Sequence, residues 1–220
     1  MDTYLISVLS NIGMLAFIAL SAYLLLLVGE ISFGQQAFFA ISAYASGIAT
    51  AMWGWPFWLG LVWGSLFGGV AAVLVAVPTL RLRGLYFSIA TLAFAEMVRL
   101  LFEIFTYQVE IDGELVGPDG SEGFRDIRLI YEQDISAFEY MCIIYAVLAL
   151  VLAGFILLER SRLGAIFRMI GEDPMLTEMQ GLNTIAYKLL AAAMAGVIAG
   201  AGGALYAHLA TYVEPKIFNV

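Results

Sequence analysis

Apolar residues run along this chain in long, almost uninterrupted stretches, separated by short polar turns. A helix crossing a hydrocarbon core of ~30 Å needs about 20 such residues. Stretches of that length occupy residues 5–28, 31–52, 57–77, 85–105, 138–158 and 189–210. The pattern therefore predicts an all-α polytopic membrane protein with about six transmembrane helices. The first stretch exceeds the ~7–15-residue core of a signal peptide and has no basic residue before it, so it reads as a retained span. Gly29-Glu30, Trp53-Gly54-Trp55-Pro56 and the segment Pro78 to Gly84 punctuate the early spans with turn-forming chemistry. Two longer tracts, residues 106–137 and 159–188, have room for structure of their own.

Composition sharpens this picture. Of 220 residues, 62% are hydrophobic and only 13% charged, and the mean hydropathy is +0.92; a soluble domain carries roughly 25% charged residues. No large soluble domain fits beside six spans, so residues 1–220 are expected to form a single transmembrane domain. The formal charge of -8 argues against a nucleic-acid partner, which selects a basic surface. A lone cysteine, Cys142, excludes an internal disulfide framework or thiolate metal cage. No phosphate-binding Gly-rich loop, zincin pattern or nucleophile–base pair occurs, which leaves an enzyme without support.

Basic residues near span ends are held on the cytoplasmic side. Arg81 and Arg83 follow span three, and Arg160, Arg162 and Arg168 follow span five. A six-span count places both groups on one side, which predicts that this side is cytoplasmic. The N-terminus, the Trp-Gly-Trp-Pro turn and the tract 106–137 then lie outside. That outer tract holds Glu110, Asp112, Glu114, Asp119, Glu122, Asp126, Glu132 and Asp134 against Arg125 and Arg128.

Polar residues inside spans are the candidates for function. Glu96, Arg99 and Glu103 fall with Ser88 and Thr91 on one stripe of span four, within an arc of about 140°. Charges at this depth are costly against lipid, so the stripe either lines a translocation path or contacts a zwitterionic solute, or it holds a Glu96–Arg99 pair at i,i+3 that locks helices together inside the bundle. The start of span two, with Ser32, Gln35 and Gln36 around Gly34, reads either as a broken or re-entrant helix open to solute or as interfacial solvation. Gly60, Gly64 and Gly68 in span three, and Gly196, Gly200 and Ala204 in span six, have the spacing of close helix packing. His208, the single histidine, is expected to make an interfacial hydrogen bond rather than relay protons.

In the second tract, Asp173 suits an N-cap, Pro174 the first helical position and Gly181 the C′ position. These bound a helix of about seven residues, too short to span, with Met175, Leu176 and Met179 on one face. Such a face suits either the membrane surface or a cytoplasmic partner.

Several runs together resemble one family. They are GEISFGQQAFFAISAY (Gly29 to Tyr44), LRLRGLYFSIATLAFAEMVR (Leu80 to Arg99), GPDG (Gly117 to Gly120), SRLGAIFR (Ser161 to Arg168), and GLNTIAYKLL (Gly181 to Leu190) leading to ALYAH (Ala204 to His208). In this order they resemble the inner-membrane permeases of branched-chain amino acid ABC importers, of the LivM-like type. The resemblance implies a homologous second permease subunit, two ATPase subunits that carry ATP and Mg, and a periplasmic amino-acid-binding protein, with no cofactor on this chain itself. It also implies alternating access, driven through a cytoplasmic coupling helix at Asp173, Pro174, Met175, Leu176, Met179 and Gly181. Ser32, Gln35, Gln36, Thr91, Glu96 and Arg99 become the expected pathway residues, and no metal site is expected. Pro174, Leu176 and Thr177 stand where many of these permeases carry a glutamate and two alanines. The family's chains usually continue past the sixth span, so the resemblance implies a further C-terminal part. Outside this family, the same features would suit an ion-coupled secondary transporter or channel, or a non-transporting membrane fragment.

Overall fold

The computed structural model describes residues 3–82, 84–111, 114–125, 127 and 135–215. Arg83, Asp112, Asp126, Arg128, Glu132 and Asp134 lie outside the described residues. Among the described residues there are eight α-helices: α1 (Thr3–Leu27), α2 (Gln35–Gly47), α3 (Phe57–Thr79), α4 (Leu85–Ile104), α5 (Ala137–Arg160), α6 (Arg162–Glu172), α7 (Pro174–Met179) and α8 (Thr184–Ala210). Five of them, α1, α3, α4, α5 and α8, are long and apolar enough to cross a membrane. The all-α polytopic architecture expected from the apolar runs is what the chain adopts.

The second span differs from the expectation of a helix from Ile31. Helix α2 begins only at Gln35 and passes into a π-helical turn, Ile48–Met52. The four residues Ile31 to Gly34 stay out of the helix because their backbone groups find side-chain partners instead. The Ser88 hydroxyl donates to Ile31 O at 2.6 Å, Phe33 N donates to Thr91 Oγ1 at 3.1 Å, and Gly34 N donates to Ser32 Oγ at 3.1 Å. The sixth span also differs: it starts at Thr184 rather than Leu189, because Asn183 Oδ1 accepts from Ala186 N at 3.1 Å and caps the helix earlier.

Helix α8 is the axis of the bundle and packs on α3, α2 and α1. Small residues make this possible. A β-carbon on Gly68 would lie 2.7 Å from Gly196 O and 3.0 Å from Gly200 Cα, so only glycine lets these two backbones meet. Hydroxyls satisfy groups along the same seams: Tyr140 donates to Leu205 O at 2.6 Å and Ser21 to Ala195 O at 2.7 Å. Phe17, Ile144 and Leu205 fill the middle of the bundle, and Leu24, Phe167 and Ile170 fill the end that carries the arginines, here the basic end.

The opposite, acidic end carries a feature the apolar pattern did not foresee. Three short antiparallel strands, β1 (Val109–Ile111), β2 (Glu114–Pro118) and β3 (Phe124–Arg125), fold back over α2 and α8. Phe124 exchanges backbone hydrogen bonds with Val213 at 2.8 and 2.9 Å, and its ring is fully buried beside Tyr44. His208 is also fully buried, with Nε2 3.2 Å from Ser46 Oγ and its ring against Phe57. The hydrogen bond expected of it is present, but the side chain is buried against Ser46 of α2 and Phe57 of α3 rather than lying at an exposed interface.

Candidate functional site

The tract 159–188 folds as two helices rather than one, both at the basic end. Ser161 caps α6, whose Phe167 and Ile170 are buried, and Gly171 sits against the backbone of Leu27 and Gly29. Asp173 then caps α7: its Oδ1 accepts from Met175 N at 2.9 Å and Leu176 N at 3.0 Å. Pro174 occupies the first turn, where its missing N–H costs nothing, and Gly181 ends the segment at φ 83°. Helix α7 thus spans six residues, Pro174–Met179. Its Thr177 is buried, while Met175, Leu176 and Met179 are 58–76% exposed. The Thr184 hydroxyl donates to Glu178 Oε1 at 2.5 Å and ties α7 to the first residue of α8.

One turn further along α8, Lys188 reaches Glu30 across the bundle, Nζ to Oε1 at 2.5 Å. The two side chains are only 16% and 7% exposed. Sequence reading missed both as functional residues; the available signal was a single carboxylate directly after span one and a single lysine at the head of span six.

Glu30 also borders a cavity of about 470 Å³ between α1 and the start of α2. Ser32, Gln35 and Gln36 line it together, facing Ile18, Ala22 and Leu26 of α1. Gln35 is 3% exposed, and neither its Nε2 nor Gln36 Oε1 has a hydrogen-bond partner among the described residues. Buried amide groups without partners are costly, so this wall is prepared for something polar. Gly34 heads α2 without a side-chain cap, which leaves the positive end of the helix dipole at the same wall.

The six expected pathway residues do not form one cluster. Ser32, Gln35 and Gln36 share the cavity, and Thr91 supports its backbone from α4 through Phe33 N. Glu96 and Arg99 lie on a separate, outward part of α4. There the Arg99 guanidinium grips Glu96 in a bidentate pair, Nε to Oε2 at 2.9 Å and Nη2 to Oε1 at 2.5 Å, and also donates to Glu103. The i,i+3 pair is present, but Glu96, Arg99 and Glu103 all belong to α4 and face outward, so it does not lock helices together inside the bundle. Among the described residues, no three His, Cys, Asp or Glu side chains gather as a metal site requires.

A broken second span, a central small-residue helix and a capped short helix at the basic end coincide with a family match over residues 4–220, to the branched-chain amino acid transport system permease component. The chain belongs to this permease family. The high-affinity branched-chain amino acid transport system permease protein LivM of Escherichia coli is 30% identical over 98% of this chain and 53% of its own length. LivM of Salmonella typhimurium is 29% identical over the same shares. The nucleoside ABC transporter permease protein NupC of Lactococcus lactis is 26% identical over 82% of this chain and 59% of its own length. The chain thus spans little more than half the length of these relatives. No solved structure matches. Membership and the five long apolar helices mark the chain as a multi-pass membrane protein of the permease family.

Proposed function

We propose that this chain is a permease subunit of an ATP-driven importer, that its solutes are branched-chain amino acids, and that α7 is the helix through which ATPase subunits drive it. The carrying observation is α7 itself. A six-residue helix capped at both ends, anchored by buried Thr177, turns three large apolar side chains outward at the basic end. In water such a face is a partner site. On this reading the basic end is cytoplasmic, the N-terminus and the small sheet lie outside, and a periplasmic binding protein delivers solute there. ATP and Mg reside on the ATPases, and a second, homologous permease completes the pathway.

The mechanism follows from the contacts behind α7. A push on α7 passes through Glu178–Thr184 into α8, and through Lys188–Glu30 into the non-helical residues Ile31 to Gly34. Ile31, Ser32 and Phe33 among them form one wall of the Gln35–Gln36 cavity, so a rigid-body shift of α7 and α8 re-aims the amides. Apolar Ile18, Ala22 and Leu26 opposite the amides suit a solute with one polar end and an aliphatic body.

Leu176→Asp tests the coupling role. Expressed with its native partners, the variant should insert in the membrane at normal yield yet lose copurifying ATPases and ATP-dependent leucine uptake; ATPases retained at wild-type levels would refute it. Similarity to a nucleoside permease supports a second solute class. Competition of labelled leucine uptake by excess valine, but not by excess uridine, separates the two.

A further inference from the structure

The four residues Ile31 to Gly34 contain no proline, and nothing else in their makeup forbids a helix. Gly34 already has right-handed backbone angles, φ -81° and ψ -3°. A β-carbon there would meet Phe38 Cζ at 3.4 Å, Ser32 Oγ at 3.5 Å and Thr91 Cβ at 3.5 Å, which is ordinary contact. Glycine is therefore needed neither for space nor for φ. Its effect here is to weaken the turn, since glycine in place of alanine shifts the helix–coil balance about fivefold toward coil.

The backbone groups that one more turn of α2 would pair are held by hydroxyls instead. In a continuous helix Gln35 N donates to Ile31 O, four residues back; here that carbonyl accepts from Ser88 Oγ at 2.6 Å. Phe33 N donates to Thr91 Oγ1 at 3.1 Å and Gly34 N to Ser32 Oγ at 3.1 Å. Thr91 Oγ1 donates in turn to Ser88 O at 2.9 Å, and both α4 side chains are buried. Hydroxyl bonds of this kind compete directly with the helix ladder. The near end of the segment is tied elsewhere, because Glu30 precedes it and is held by Lys188 of α8. The two clamps belong to different helices, so relative movement of α4 and α8 falls on these four residues.

We infer that Ser88 and Thr91 are positioning residues that hold Ile31 to Gly34 unwound, and that this segment is a two-state turn of the transport cycle. Wound, it pairs Gln35 N with Ile31 O and Gln36 N with Ser32 O, and moves Ile31, Ser32 and Phe33 out of the cavity wall that they share with the two glutamines. Unwound, that wall is complete. The turn and its clasp consist of contacts within this chain; that ATPases throw the switch rests on the importer reading above.

Hydrogen exchange, read residue by residue by mass spectrometry, separates a two-state turn from a passive contact. Winding moves protection along the chain: the amides at 33 and 34 lose their hydroxyl partners and become unpaired first-turn groups, while those at 35 and 36 gain carbonyls. In the full chain in lipid nanodiscs, Ser88→Ala combined with Thr91→Val and Gly34→Ala should give this crossed pattern, at least tenfold faster exchange at 33 and 34 and at least tenfold slower at 35 and 36. Ser88→Thr with Thr91→Ser keeps both hydroxyls and should exchange as the wild type does. Faster exchange at all four positions, or none changed, overturns the inference. The wild-type chain, purified with its native partners and trapped with ATP and vanadate, gives a second reading, in which the same crossed pattern is expected relative to the nucleotide-free complex. Intact ATP hydrolysis with an unshifted pattern would sink the switch and leave the importer reading standing. A crossed pattern in the triple variant with no ATPase copurifying would do the reverse.

Discussion

Removing Lys188 should leave the Glu30 carboxylate without its cation across the bundle. Its ammonium lies 2.5 Å from Glu30, and the two side chains are 16% and 7% exposed. At an effective dielectric of about 20, the attraction amounts to about 5–7 kcal/mol, while desolvation of the two ions costs several kcal/mol each. The intact pair therefore adds little net stability. Breaking it from one side is different, because the remaining carboxylate stays buried without a partner, at a cost of about 3–5 kcal/mol. For a chain of this size that corresponds to a fall of roughly 6–20 °C in the unfolding midpoint. Lys188→Met should show that fall in the thermal stability of the detergent-solubilised protein, followed by fluorescence-detected size exclusion. Glu30→Gln with Lys188→Met should recover more than half of it. If the pair also transmits motion from α7, the double variant should be stable yet slow in ATP-dependent uptake. Single and double variants whose effects add within about 0.5 kcal/mol would refute the coupling.

Other expectations are shorter to state. Phe124→Ala empties a fully buried site under the small sheet and should cost about 3–5 kcal/mol, read as a lower unfolding midpoint with unchanged helix content. Gly68→Ala drives a β-carbon into the Gly196 carbonyl and should cost about 1–3 kcal/mol; an unchanged midpoint would mean that α3 and α8 are less tightly apposed than described. Exchanging Glu96 and Arg99 keeps one i,i+3 pair but sets a carboxylate at position 99 one turn from Glu103. With the chain expressed alone, its membrane yield should therefore exceed that of Glu96→Gln or Arg99→Gln only when Glu103→Gln accompanies the exchange.

Much of this was legible in the chain because lipid imposes a one-dimensional rule. A span must be apolar for its full length and must satisfy its own backbone, so five helices appear where the apolar runs lie. Local chemistry was equally readable at α7, since Asp173, Pro174 and Gly181 act within a few residues of themselves. The Glu96–Arg99 pair belongs to the same class, as i,i+3 neighbours on one helix.

Contacts between distant segments were another matter. Four residues of the second apolar run leave the helix because Ser88 and Thr91, nearly 60 positions later, take over their backbone bonds. His208 is buried because Ser46, 162 positions earlier, and Phe57 at the head of α3 pack against it. Glu30 and Lys188 stand 158 positions apart, and neither carries a mark of its partner. Sequence by itself determined the five long apolar helices, the caps of α7 and the charge asymmetry, because each follows from the solvent or from neighbours within one helical turn. Only the tertiary structure decided which polar groups meet and which line the cavity together, because those depend on how the helices pack side by side.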